Sequence, residues 1–338
     1  MRLFRANDPV RNAQLKIVPR MWAEWKRAAP SPSRGARAPA FAGQWYPADA
    51  GVLAQAADQL IANAPSTALP GELVAMLVPH AAYRYSGVIA GAGYKQMGKG
   101  WTAVILLGPS HKIPVQGAAV WARGAFSTPL GDVAVDEALA WRLLASSSLF
   151  HDSALPHQAE HSLEVQLPLL QRSLGQVTIV PILISTTDPD ICRQLGEVIA
   201  QAIKGQRVLI LISSDLSHYA DRATARRVDG ETLQALERMD PELIHRTAGL
   251  LMTRGHDGLK TTMCGQGALL TGLHAARILG ANRARVLSYA NSGDSALGDP
   301  RRVVGYAAVA FVAASCMGRA TATPPIPPPT RRGTSSRC

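Results

Sequence analysis

The sequence predicts an α/β protein: one domain with a central, mixed, mostly parallel sheet and helices on both faces. Two observations carry that. Apolar runs of five to seven residues rich in Val, Ile and Leu recur along the chain and each stops abruptly at polar residues: ELVAMLVPH to His80, WTAVILLGPSH to His111, and RVLILISSDLSHY with Asp215 and His218. Runs of that length and composition read as strands buried on both faces. Between such runs lie segments of helical periodicity, the alternation that builds βαβ units with right-handed crossovers.

Taken in order, AGQWYPAD forms an opening loop and residues 50–64 an amphipathic helix. Strands follow at 73–79, 102–107 and 117–122, and FSTPLGDVAVD makes a hairpin turning near Gly131 and Asp132. Helices are expected at 135–146 and at 158–173, the second from the spacing of Leu163, Leu167, Leu170 and Leu174. Strands at 177–184 and 207–213 flank a helix at 189–203. Helices at 222–237, 241–252 and 265–279 precede closing strands at 284–290 and 302–312.

Composition narrows the function. The formal charge is +11, but of 35 basic residues nine fall in 1–40 and four in 318–338, so residues 41–317 carry 22 basic against 22 acidic residues. A neutral body argues against nucleic-acid binding by the folded domain. Residues 1–40 read as a basic extension: a transit-type segment, a membrane-surface helix, or sequence upstream of the true start. Residues 317–338 read as a Pro/Arg-rich disordered tail, which leaves 41–316 as the domain. The apolar stretch 303–317 is shorter than the ~20 residues of a membrane span and is expected to be a buried strand. Cys192, Cys264, Cys316 and Cys338 form no CxxC pair or disulfide framework, which fits a reducing, cytoplasmic setting.

In open α/β sheets ligands bind beyond the carboxyl ends of the strands, where the polar stops would gather. A His closing a buried strand is either a hydrogen-bonded edge residue or a metal ligand. Two of them, His80 and His111, on runs expected to be neighbours in the sheet, favour the ligand. Asp215 and His218 stand three apart. Asp215 either caps a helix or orients His218 for proton transfer. Cys264, before the helical segment GQGALLTGLHAARIL, is either a thiolate favoured by a helix N-terminus or a small buried hydrophobe. A rival pattern is HQAEH: His157, Glu160 and His161 match the H-x-x-E-H spacing of a zinc hydrolase, with Glu231 or Glu237 as a third ligand.

These motifs together, from AGQWYPAD through PHAAYRYSG, GPSH, GDVAVD, AEHSLEVQLP, SSDLSHY, MCGQGAL and YANSGD to VVGYAAV, resemble the Memo family, called AmmeMemoRadiSam system protein B in bacteria. The resemblance spans about Ala40 to Val312. It implies a fold like the LigB-type class III extradiol dioxygenases, which hold Fe(II) with two His and a carboxylate. His80 and His111 match the family's metal histidines, and Cys264 the cysteine that stands where the dioxygenases have their carboxylate. Asp215 and His218 match a pocket motif, His218 standing where the dioxygenases keep an acid–base His. Glu160, His161, Tyr85 and Ser110 match pocket-lining positions, and the family's EHS element lacks the earlier His, which counts against a zinc role for His157. The family implies a metal-dependent oxidoreductase of unknown substrate or a non-catalytic metal- or peptide-binding scaffold, with a radical-SAM protein and an AMMECR-type protein as partners. The donor set suits iron(II) or copper, with zinc a further candidate. One departure is Ala82, where the family reads Gly; a position needing φ > 0 would be strained by the methyl.

Overall fold

The apolar runs become buried strands between two layers of helices: β3 and β9 along their whole length, and β2 from Ala75 onward. The computed structural model of the chain describes residues 35–295 and 298–314. The readings of the basic head and the Pro/Arg tail lie outside these residues, apart from 35–40. Its elements are β1 (Ala36–Arg37), α1 (Ala50–Ala62), β2 (Gly71–Val78), α2 (Tyr83–Tyr94), β3 (Ala103–Pro109), β4 (Ala118–Val120), β5 (Ala125–Thr128) and β6 (Gly131–Ala134). They continue with α3 (Glu137–Ser146), β7 (Phe150–Asp152), α4 (Leu155–Gln158), α5 (Leu167–Leu174), β8 (Thr178–Ile184), α6 (Pro189–Ile203) and β9 (Val208–Ser213). The last are α7 (Arg222–Glu237), α8 (Pro241–Thr253), α9 (Gln266–Ile278), β10 (Ala281–Asn291) and β11 (Gly305–Ala314). Asp residues start many of the helices: Asp49, Asp136, Asp188, Asp221 and Asp240 each accept hydrogen bonds from backbone N–H groups of the first turn.

The main sheet has the order β10-β11-β2-β9-β3-β8-β4-β7, with β2, β9, β3 and β8 parallel. β1, β5 and β6 form a separate small sheet. β2 and β3 are therefore not neighbours: β9 lies between them, in register with Leu77 through Ile212 and with Leu107 through the same residue. That register also shows the two helical layers. A side chain built on Gly272 of α9 would strike Ile212 and approach Leu107, whereas one on Gly93 of α2 would strike Val78 and approach Met76. Successive residues of a strand point to opposite faces, so α9 covers the Leu77–Ile212–Leu107 face and α2 the other. The stretch from 303 closes the sheet as β11, buried between β10 and β2. Among the described residues no helix is long and apolar enough to cross a membrane.

Two helical segments differ from the sequence reading, and the short strands β1 and β7 are additions to it. Helix α2 is unexpected because its sequence, YRYSGVIAGAGY, is rich in glycine, a poor helix former. The glycines are there for contact: a Cβ on Gly91 would fall on the Leu60 carbonyl of α1. We expect Gly91→Ala to destabilise the fold by up to about 3 kcal/mol, the usual size of an overpacking penalty, measurable as a lower urea midpoint at unchanged slope. The helix expected over 158–173 is instead broken into α4, an open stretch, a short 3-10 turn at Glu164–Gln166, and α5. The N–H groups of His161 and Ser162 bond the Glu160 carboxylate, both at 2.8 Å, instead of helix carbonyls.

The folded chain also begins before residue 41. Arg37 is 4 % exposed, and its guanidinium meets Glu164 at 2.6 Å and the carbonyls of His157 and Glu160 at 2.6 and 2.9 Å.

Candidate metal centre

The carboxyl ends of β2, β9 and β3 open onto one rim, and the first polar residues past each end face one another. His80 follows β2, Ser213 ends β9 and His111 follows β3. Cys264 comes from the loop before α9, drawn in by the Gly265 N–H on Ser214 Oγ at 2.8 Å. His80 Nε2 lies 3.2 Å from Cys264 Sγ, and the His80 and His111 rings stand at 84°, their centroids 5.2 Å apart. One donor atom from each of His80, His111 and Cys264 lies within 4.8 Å of the others.

His111 is held from behind. The Glu160 carboxylate takes its backbone N–H at 2.6 Å and its Nδ1 at 2.9 Å. Burial favours the neutral acid, but the His111 hydrogen bond and the neighbouring imidazoles prevail and bring the Glu160 pKa to about 2. An ionised carboxylate only accepts, so His111 carries its proton on Nδ1 and presents Nε2. Glu160, His111 and His161 form a second donor group within 4.8 Å. Glu160 already accepts from His111, His161 and Ser162, however, which makes it an anchor of ligands.

His161 completes a wall of imidazoles. It stacks on His111 at 4.5 Å and 17°, and the indole of Trp45 covers it at 4.2 Å. Burial, reinforced by His80, lowers its pKa to about 2. His80, also buried, is held well below the ordinary histidine value. These rings take up protons on unfolding below their unfolded value of about 6.5, while Glu160 loses its advantage as pH falls below about 4.5. Both work in one direction: stability should decline as pH drops from 6.5 toward 4, and His161→Phe should flatten the upper part of that decline in denaturation curves taken at several pH values.

Burial also decides Cys264. It pushes the thiol far above its ordinary value. A thiolate favoured by the helix N-terminus is therefore not what the metal-free fold provides. The helix cap is Gly265, and the sulfur sits beside the Asp215 carbonyl at 3.7 Å and Ser214 Oγ at 3.8 Å, with no Lys or Arg in hydrogen-bond reach among the described residues. Deprotonation here calls for a positive ion at the sulfur.

Asp215 is buried, with its pKa raised to about 6 by that burial against the pull of His218. Its Oδ1 accepts the His80 backbone N–H at 2.8 Å. The expected pairing in which Asp215 orients His218 is not made among the described residues. His218 is fixed through its backbone, its N–H on Thr261 and its carbonyl accepting from Lys260, both at 3.0 Å. Its Nε2 is buried without a hydrogen-bond partner among the described residues. Tyr219, next in the chain, has φ 72°, a left-handed conformation rare for an aromatic residue.

The remaining sequence candidates divide. Tyr85 is half-buried at the start of α2, with the Arg84 guanidinium 5.0 Å from its ring centroid. Ser110 gives its hydroxyl to the Ile113 carbonyl at 2.6 Å. Ala82 has φ −55°, so the position does not require glycine's freedom. His157 has its Nε2 3.1 Å from the Ala119 carbonyl and sits between Trp121 and Phe126; it joins no donor group among the described residues. Glu231 pairs with Arg254 at the surface, and the zinc-hydrolase reading has no site. Arg37, Trp45, Tyr46 and Glu164 were not singled out by the sequence; the only hint was that WYPAD and EHSLE keep aromatic and acidic residues beside the motifs.

The chain is similar to known proteins over most of its length. The family model for Memo-like proteins matches residues 37–310. A MEMO1 family protein of Aquifex aeolicus is 35% identical over 277 residues, covering 82% of this chain and 99% of that one. A MEMO1 family protein of Methanopyrus kandleri is 32% identical over 291 residues, covering 81% and 98%. Among solved structures, an uncharacterised Escherichia coli K12 protein is similar with a TM-score of 0.48 and 14% identity, over 71% of this chain and 100% of that one. With the family model matching residues 37–310 and these relatives more than 30% identical over more than 80% of the chain, the chain belongs to the Memo family.

Proposed function

We propose that this protein holds one transition-metal ion on His80, His111 and Cys264 and uses it as a cytoplasmic, metal-dependent oxidoreductase. The observation that carries the reading is the convergence of two imidazoles and a thiol, with His80 Nε2 and Cys264 Sγ only 3.2 Å apart, at the strand ends where α/β sheets bind ligands. Bonds of about 2.0–2.3 Å from such donors would meet at one point. Two imidazoles and a thiol suit copper or iron(II), with zinc accommodated by the same geometry. One-electron or Lewis-acid chemistry is what such an ion supplies when bound. The chain itself excludes water with Trp45 and Phe41 over His161, and His218 offers the unspent proton-handling group.

Metal analysis of protein purified without oxygen, joined to an oxygen-consumption screen, tests this directly. His218→Gln should leave metal content unchanged and lower any turnover by roughly 10²–10⁴-fold, the usual share of general acid–base catalysis. Loss of metal together with activity would instead place His218 among the ligands. The competing reading, a non-catalytic metal- or peptide-binding scaffold, is favoured by one observation: Asp215 is spent on the His80 backbone and leaves His218 without an orienting carboxylate. A radical-SAM protein and an AMMECR-type protein are the proposed partners, to be sought by co-purification.

A further inference from the structure

We propose that Ser213 and Gln166 are positioning residues that lock His80 in the tautomer with its proton on Nδ1, so that Nε2 is a lone pair aimed at the Cys264 sulfur before any metal arrives. This rests on the metal reading above. The network is fixed by the groups that can act in one way only. The Pro79 carbonyl can only accept, and Gln166 reaches it at 3.0 Å, so the amide nitrogen of Gln166 is on that side. The Tyr94 hydroxyl donates to the opposite end, Gln166 Oε1, at 2.8 Å. The second amide hydrogen of Gln166 then goes to Ser213 Oγ at 2.9 Å.

Ser213 has one hydroxyl hydrogen, and it goes to the Ser162 carbonyl at 2.6 Å, another pure acceptor. Its oxygen therefore meets His80 Nδ1, at 2.9 Å, with only lone pairs to offer. His80 has to be the donor. All these atoms are buried: Ser213 and Ser162 are fully so, and His80 and Gln166 are 1 % exposed, which removes water as an alternative partner for the ring.

The insertion of β9 between β2 and β3 is what places Ser213 there. The Nδ1 of His111 faces a charged acceptor, Glu160, whereas that of His80 faces a neutral one, Ser213. A free imidazole in water prefers the other tautomer, so this network sets a state that the ring alone would not choose.

The experiment is nitrogen-15 NMR of the imidazole rings in metal-free protein, paired with a titration of copper(I) or iron(II) against a competing chelator. The wild type should show His80 protonated on Nδ1. Ser213→Ala should shift the ring toward the Nε2–H form and weaken metal binding by roughly 10–100-fold, the usual effect of losing a partner of a metal-bound His. Ser213→Thr, which keeps the hydroxyl, should restore both, and Gln166→Leu should give a smaller shift in the same direction. A wild-type His80 protonated on Nε2, or a Ser213→Ala protein with the wild-type tautomer, would overturn the proposal even if metal still binds. If no metal binds the wild type, the function proposed above fails while the NMR result still decides this one.

Discussion

His80→Ala, His111→Ala and Cys264→Ser should each take the metal content of purified protein from near stoichiometric to near zero after a chelator wash. Four-ligand structural zinc sites bind with roughly 10–16 kcal/mol, so about 3 kcal/mol rests on each ligand and its loss weakens binding more than 100-fold. The three donors are equivalent in this respect because they approach within 4.8 Å and no further His, Cys, Asp or Glu joins that group among the described residues. The wild type should also gain thermal stability on metal addition, since an ion that binds only the folded state raises its midpoint by mass action, and the variants should not. Full metal retention in all three variants would refute the site.

Arg37→Met should destabilise the fold by about 3–5 kcal/mol, the cost of leaving one partner of a buried ion pair behind. Glu164 is fully buried and takes Arg37 Nη1, the Tyr46 hydroxyl and the N–H groups of Ala40 and Phe41. Without Arg37, the carboxylate keeps its neutral donors but loses its counter-charge, and the loop carrying Phe41 and Trp45 loses its tether to His161. Chemical denaturation reads the loss, and Trp45 fluorescence should report the change around His161. A chain begun at residue 41, which also loses β1 and the Ala40 N–H, should show a deficit at least as large against one begun at residue 35. An unchanged midpoint in both would show that the pair contributes no net stability.

The rim was legible because burial writes itself plainly into sequence. ELVAML, AVILL and VLILI can hardly be anything but inner strands, and the residues that interrupt them had to emerge where the strands end. The interposition of β9 was not legible, since strand order depends on which faces the crossover helices cover. Helix α2 was hidden because Gly87, Gly91 and Gly93 serve contact with α1 and β2 at the expense of helix propensity. The 158–173 segment kept the periodicity of a helix, yet Glu160 turned its neighbours' N–H groups toward the site. Arg37 was lost among nine basic residues in the first 40; charge counting cannot separate one buried guanidinium from exposed ones.

The position of β9 also governs when the centre can come into being. β2 and β3 share no hydrogen bonds and are joined only through β9, which pairs with both, and Cys264 lies 184 positions after His80. At synthesis rates of about 5–20 residues per second, the thiol follows the first imidazole by roughly 10–40 s. A growing chain thus carries its histidines for many seconds with no rim to hold them. If the proposed site holds a metal, its capture belongs to the finished fold, and the choice among ions falls to a preformed geometry rather than to whichever ion first meets the nascent chain.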